Sequence, residues 1–449
     1  MREAYSPWWE KYKDWVRKKP EEAKDAYRHV KQQVAISPAK YKGEPVEFLY
    51  QPFFMTTTQW EELEQINQTM MQVMEKVIGQ YVQTPAFRAH FDFPPLMEQL
   101  ILKEPGYRHP VPMTRIDLFY HLETGDFQFC EINTDGSSGM VEARELQRIV
   151  ADSQGMKTLG IPGESLAQGE FFDSWVTALM DNYHQWSQHY QRQPKDHPQV
   201  AIVDLFANEP ASEFFEFQKA FESRGYPCMV VDARELSMKG GRLRAKGKDV
   251  DVIYRRLVTW EMVENEDVIQ PLIEAVLKDA VCLVGPVRSQ IPHNKRFFAV
   301  LHDEKATHFL SEEEREFVRR HVPYTARLSD DDAEKWEEWL QNKDQLIIKP
   351  DDRYASFGVF AGRDYTHDEW KKKLTTALPQ SYLVQQYCSV PRMDMALFNN
   401  PEPVFHPFYY LVGCFVYNGK FQGPYIRVGS HSIIGSVVEC FTVPVFQVT

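Results

Sequence analysis

A chain of 449 residues is long enough for roughly two to four domains and a large core. Its formal net charge of −13 argues against a general binder of nucleic acid or acidic membrane, while leaving room for local basic pockets that take a phosphate. Hydrophobic residues at 43% and aromatics at 13% make the composition that of a packed globular protein of enzyme size.

The six cysteines, Cys130, Cys228, Cys282, Cys388, Cys414 and Cys440, are widely spaced and form no CxxC or Cys/His metal pattern. Most stand beside apolar strand residues and read as reduced, buried thiols of a cytosolic protein. The charged, aromatic start MREAYSPWWEKYKDW is unlike a signal peptide, and no apolar run approaches a membrane span. The expected location is cytoplasmic, and the expected state soluble.

In chain order, residues 1 to 35 read as amphipathic helices with Trp8, Trp9, Tyr12 and Trp15 along one side, a stripe that suits core packing. Thr56-Thr57-Thr58 offers an N-cap to a long helical pattern from Trp60 to Tyr81. A further helix is expected over Phe87 to Leu102. Met113 to Gly139 then reads as two strands around a turn at Glu123 to Asp126, with Ile116, Leu118 and Tyr120 alternating with Arg115, Asp117 and Phe119.

A three-residue loop with Gly125 in the left-handed region sets Asp117 opposite Glu131 and Arg115 opposite Asn133; a two-residue loop sends the two acids to opposite faces. The first register gathers Arg115, Asp117, Glu131 and Asn133 on one surface. Facing carboxylates repel unless a cation lies between them, and Asp, Glu and Asn oxygens suit Mg²⁺ bridging to phosphate. The same residues also describe a solvated face on which Arg115 neutralises the acids.

The polar turn Thr134 to Gly139 opens a helix, Val141 to Asp152, as an ordinary strand-to-helix connection does, although such a turn can also bind an anion. After a helix at Phe171 to Gln191 and a charged boundary at Arg192 to His197, a strand from Val200, a helix at Ala211 to Arg224, and strands at Pro227 to Val231 and Val252 to Tyr254 predict a parallel sheet covered by helices. No G-x-G-x-x-G follows its first strand, so no dinucleotide site is indicated. Charged helices at Ser311 to Arg320 and Asp330 to Gln341 precede the strand Leu346 to Pro350. A loop at Asp351 to Phe357, a strand at Gly358 to Ala361, another helix and a strand at Tyr382 to Tyr387 follow. The region 405 to 449 is strand-rich, with Asn418-Gly419 as a hairpin turn.

Lys349, at the tip of an apolar strand, can reach nucleotide phosphates as a point charge, although strand-end lysines usually reach solvent; Lys295 is similar. Gln385, Gln386 and Tyr387 close a strand whose backbone groups can bond an adenine edge, or simply lead into the loop at Pro391. Arg427 can hold a phosphate or carboxylate bidentately. Arg255 and Arg256 could do the same for a substrate carboxylate, one of them being expected to pair with a structural acid. No serine elbow accompanies His431, and there is no Walker lysine motif.

The order Arg-x-Asp, Glu-x-Asn, Asn-Lys, Lys-Pro, Gln-Gln-Tyr and an arginine-bearing final sheet resembles the glutathionylspermidine synthase family of circularly permuted ATP-grasp ligases, in fragments from about Arg115 onward. The resemblance implies a mixed α/β fold: a circularly permuted ATP-grasp with a pre-ATP-grasp-like parallel αβ domain. It divides the chain into a helical region with the metal-binding hairpin (1–197), the parallel domain (198–284), a small nucleotide-clamping lobe (285–390) and strands completing the large lobe (391–449). It implies ATP and Mg²⁺, with Asp117, Glu131 and Asn133 as metal ligands and Arg115 stabilising the transferred phosphoryl group. Lys295 and Lys349 would bind nucleotide phosphates, Gln385 to Tyr387 would face adenine, and Arg427 would match the arginine of the terminal sheet.

The implied chemistry joins a small carboxylate, amino-acid-like or peptide-like, to an amine through an acyl phosphate, releasing ADP and phosphate. No nucleic-acid or membrane partner is expected. No counterpart of the amidase half of bifunctional members is expected, and the loop at 351–358 is poorer in glycine than family loops that close over phosphates. That loop motivates an alternative, a degenerate ATP-grasp protein that binds Mg·ATP or a partner without ligation. A kinase-like phosphoryl transferase is a third.

Overall fold

The computed structural model describes residues 6–207, 210–331, 333–352, 358–399, 401–435 and 439–449. Among these, no helix is long and apolar enough to cross a membrane, and all six cysteines are free.

The sheet that positions the site is antiparallel and mixes distant parts of the chain. Its order is Phe441–Val443, Lys420–Gly429, Val404–Tyr417, Met113–Tyr120 and Phe127–Asn133, with Arg392–Leu397 also paired to Val404–Tyr417. Ile116, Leu118 and Tyr120 are fully buried on one face of their strand, and Arg115 and Asp117 are buried on the other, so the strand is enclosed on both sides. The long helix Thr57–Gln83 packs on this sheet. Its N-cap is Thr56, in a capping box with Gln59, so the threonine run does what its composition predicted.

Asn418 and Gly419 both take positive φ, 44° and 77°, and close the Val404–Tyr417/Lys420–Gly429 hairpin, as a primed turn demands. The earlier hairpin reaches its expected register by another route. Tyr120 pairs with Phe127 across a six-residue connection, 121–126, rather than a three-residue loop, although Gly125 is left-handed (φ 77°). Continued regularly, that register would set Asp117 against Cys130. A bulge there absorbs one residue, and Asp117 lies opposite Glu131 and Arg115 opposite Asn133.

A second sheet is wholly parallel, ordered Cys282–Val284, Val252–Arg255, Val200–Asp204, Cys228–Asp232. A third is antiparallel, ordered Thr325–Arg327, Tyr382–Gln386, Leu346–Pro350, Phe360–Ala361, and has its own small core around Trp339, Trp370 and Val384.

One expected helix is corrected, and one strand has no signal in the sequence. The helix expected over Phe87 to Leu102 is two, Pro85–Arg88 and Pro95–Leu102, because Pro94 and Pro95 remove donors and push the residues before them out of the helical region. The strand Phe53–Thr56 lacks alternation and went unpredicted; it pairs in parallel with Val445–Val448.

Candidate active site

Asp117 is fully enclosed, and its carboxylate gathers three side chains. Arg115 donates to it twice, Nε to Oδ1 at 2.8 Å and Nη2 to Oδ2 at 3.1 Å. Arg427 donates Nη2 to Oδ2 at 2.5 Å, and Asn133 donates Nδ2 to Oδ2 at 3.1 Å. The same Asn133 amide reaches Glu131 Oε1 at 3.3 Å. Arg427 comes from the strand Lys420–Gly429, which reaches the hairpin across Val404–Tyr417. On that middle strand Gly413 stands opposite Asp117, and a Cβ there would lie 2.9 Å from both Arg115 Cδ and Asp117 Oδ1. The missing side chain is the room in which Arg115 lies. Tyr425 sits beneath both guanidinium groups, 5.7 and 5.8 Å from its ring centre, and its hydroxyl donates to Glu142 at 2.5 Å.

The two lysines arrive from the other side. Lys349, 5% exposed, projects Nζ to the Cys130 carbonyl at 3.4 Å, at the residue the bulge leaves over. Burial pushes its ammonium down, Cys130 counters, Lys295 adds repulsion and Glu131 attraction; it titrates at about 8. Lys295 is half-buried between two short helices, and its amide donates to the Asp351 carbonyl at 2.8 Å. Burial would raise the Glu131 carboxyl, but Lys295, Arg427, Arg115 and Lys349 together hold it at about 2. The early acidic hairpin, the two mid-chain lysines and the late arginine therefore share one site.

The family model for the glutathionylspermidine synthase pre-ATP-grasp region matches residues 27–310. The chain belongs to this family. Among curated proteins no sequence matches. Among solved structures it is similar to a glutathione synthetase-like effector from Globodera pallida, at TM-score 0.61 and 12% identity over 95% of this chain and 96% of that one. A protein provisionally assigned as a γ-glutamylcysteine synthetase, from Methylobacillus flagellatus, gives TM-score 0.39 and 10% identity over 84% of each chain. D-alanyl-alanine synthetase A from Vibrio cholerae gives TM-score 0.32 and 9% identity over 57% of this chain and 90% of that one. The first likeness is close enough to establish a fold; the other two are not. The fold is the mixed α/β, ATP-grasp-related architecture expected of the glutathionylspermidine synthase family. The family match contains the hairpin and Lys295 but ends before Lys349, Gln385 to Tyr387 and Arg427.

Gln385 and Gln386 end the strand Tyr382–Gln386, which pairs with Lys349's strand, and Tyr387 follows it. Gln385 is buried, and its side chain donates to Thr325 Oγ1 at 2.8 Å. The amides of Gln386 and Tyr387 donate to Tyr324 O at 2.8 Å and Gln345 O at 2.7 Å. Arg363 covers the Tyr387 ring at 3.6 Å. The loop at 351–358 falls mostly at 353–357, outside the described residues.

The turn before the helix Met140–Ala151 is an internal connection: one Glu213 oxygen accepts from the amides of Gly139, Met140 and Val141 at 3.1, 2.9 and 3.4 Å. Arg256 pairs with Glu213 and Arg255 with Asp135, so both arginines, not one, serve structural acids.

Among the described residues no three His, Cys, Asp or Glu side chains are arranged to hold a metal by themselves. Two carboxylates and an amide, without thiolate or imidazole, nevertheless suit a hard cation that keeps waters and phosphate oxygens as its other ligands. Glu131 is ionised and lightly bonded, whereas the Asp117 oxygens are already engaged by two guanidinium groups. The donor set fits Mg²⁺ with Glu131 and Asn133 foremost. Gly413 and Tyr425 escaped the sequence reading because their roles depend on strand pairing between segments far apart in the chain.

Proposed function

We propose that this protein is an ATP-dependent carboxylate–amine ligase that forms an acyl phosphate and releases ADP and phosphate. The observation that carries the reading is geometric: the buried Asp117 holds Arg115 of its own hairpin and Arg427 of a distant strand, Asn133 bridges it to Glu131, and Lys349 reaches the same hairpin at the Cys130 carbonyl. Phosphoryl transfer needs positioning and charge neutralisation rather than a protein nucleophile, and this site supplies both. Lys295 and Lys349 would hold the polyphosphate. Arg115 and Arg427, oriented by Asp117 and Tyr425, would face the transferred phosphoryl group. Glu131 and Asn133, with Asp117 beside them, would hold Mg²⁺, which supplies charge neutralisation at phosphate oxygens when bound. The carboxylate substrate would be amino-acid-like or peptide-like, an expectation that comes from the family.

A coupled assay of ADP release, run across mixed carboxylates and amines, tests the reading. Wild-type protein is expected to release ADP only when acid and amine are both present. Lys295→Ala and Asp117→Asn should each reduce that rate by at least about a hundredfold with an unchanged circular-dichroism spectrum. Full turnover in both variants would refute the site. Tight Mg·ATP binding without ADP from any pair would favour the degenerate, non-ligating alternative. A phosphorylated product formed without amine would favour a kinase-like transferase.

A further inference from the structure

Beside Lys295 lies a group of buried polar atoms that the phosphate and metal roles leave unused. Gln290 is fully buried, and its Nε2 donates to Asp352 Oδ2 at 2.6 Å. Its carbonyl Oε1, the second Asp352 oxygen Oδ1 and His293 Nδ1 are all buried without a hydrogen-bond partner. Each such atom costs its full desolvation penalty if nothing pairs with it, and folded proteins keep few of them. Here three come together: Gln290 and His293 share one helical turn, Gln290–His293, and Asp352 is bonded to it. The segment is also fixed against the phosphate site, because Lys295 donates its amide to Asp351 O at 2.8 Å and Arg296 pairs with the Asp351 carboxylate at 2.6 Å.

The chemistry of the unused atoms selects the guest. An amide oxygen and a carboxylate oxygen only accept, and imidazole Nδ1 can do so. A phosphate or carboxylate would bring more acceptors to acceptors, whereas a protonated amine brings donors. Within the ligase reading, on which this inference rests, that guest is the attacking amine.

We infer that Asp352 binds the amine substrate and accepts its proton, with Gln290 as the residue that positions Asp352. The ammonium gives one proton to the Asp352 carboxylate, and the freed nitrogen lone pair attacks the acyl-phosphate carbonyl. The C–N bond forms as the C–O bond to phosphate breaks. Phosphate leaves with that bonding pair, and the nitrogen's surplus proton goes to it. The surroundings favour a base stronger than an ordinary carboxylate. Burial raises the Asp352 carboxyl, His293 and Lys295 oppose this, and Asp135 and Asp351 add to it, for a net shift upward.

The test compares two nucleophiles on the full chain, with ATP and the common amino acids as carboxylate donors. Methylamine is protonated at neutral pH and needs a base; hydroxylamine is not and does not. Asp352→Asn should lower methylamine-dependent ADP release by about a hundredfold at pH 7, with recovery as the pH climbs toward the pKa of methylamine. Hydroxamate formation should stay within about twofold of wild type, and Gln290→Leu should move the same ratio in the same direction by less. Parallel loss of both activities, or undiminished use of methylamine, would overturn the assignment. Wild-type protein that yields neither ADP nor hydroxamate would refute the ligase reading itself, and this inference with it.

Discussion

Asp117 accepts from Arg115 at both of its oxygens and from Arg427 at one, so the positions of both guanidinium groups depend on the space around that carboxylate. Gly413 provides the space. A Cβ at 2.9 Å from Arg115 Cδ and Asp117 Oδ1 is closer than side chains tolerate, and neither neighbour is a loose chain end. Gly413→Ala should therefore cost about 1–3 kcal/mol in urea unfolding and lower turnover by more than tenfold, while Lys295 and Lys349 keep most of the nucleotide affinity. Gly79 gives the opposite sign. It lies inside the helix Thr57–Gln83 with nothing within 4 Å of its would-be Cβ, so Gly79→Ala should stabilise the protein by up to about 1 kcal/mol. If both variants lost stability together, the contact at Gly413 would not be what sets its cost.

Among the elements, the helix Met140–Ala151 starts on a carboxylate from another helix. Glu213 is 7% exposed, takes three amide donors at that helix start, and pairs with Arg256 at 3.0 Å. Removing it leaves the amides without their acceptor and a buried guanidinium without its ion-pair partner, so Glu213→Ala should cost about 3–5 kcal/mol. Urea unfolding would show the loss, and an unchanged midpoint would mean that water replaces the carboxylate. Nothing near Thr134 to Gly139 hints at Glu213 in the sequence, which allows an ordinary strand-to-helix connection or an anion-binding turn without naming the carboxylate. The same limit explains Phe53–Thr56, whose pairing partner Val445–Val448 comes from the far end of the chain. Local signals were legible where structure is made locally: the threonine cap of Thr57–Gln83, the Asn418-Gly419 turn, the alternation of Met113 to Tyr120. The bulge at Cys130 lies between these cases. It shifts the register by one residue, so Asp117 faces Glu131 as expected, although the three-residue loop from which that facing is expected is not the one present.

Across the whole molecule, a net charge of −13 surrounds a site where Arg115, Arg427, Lys295 and Lys349 outnumber Asp117 and Glu131. A polyphosphate would be drawn to that surplus, and Lys349 is the member of it whose charge can be switched near neutral pH. Its ammonium titrates at about 8 in the fold against 10.5 unperturbed. Between those values the unfolded chain binds the proton that the folded chain has released, so this group makes stability rise with pH across the window. Nucleotide affinity should run the other way, since the phosphate site loses a cation as the pH passes 8. Glu131, held at about 2, stays ionised throughout and contributes to neither trend. Calorimetric binding of Mg·ATP and urea midpoints, measured from pH 7 to pH 10, should therefore give opposed curves in wild-type protein. In Lys349→Arg, whose guanidinium keeps its charge, the affinity curve should flatten and this group's part of the stability trend should vanish. Curves that move together in wild-type protein, or an unchanged affinity curve in the variant, would remove Lys349 from the nucleotide site.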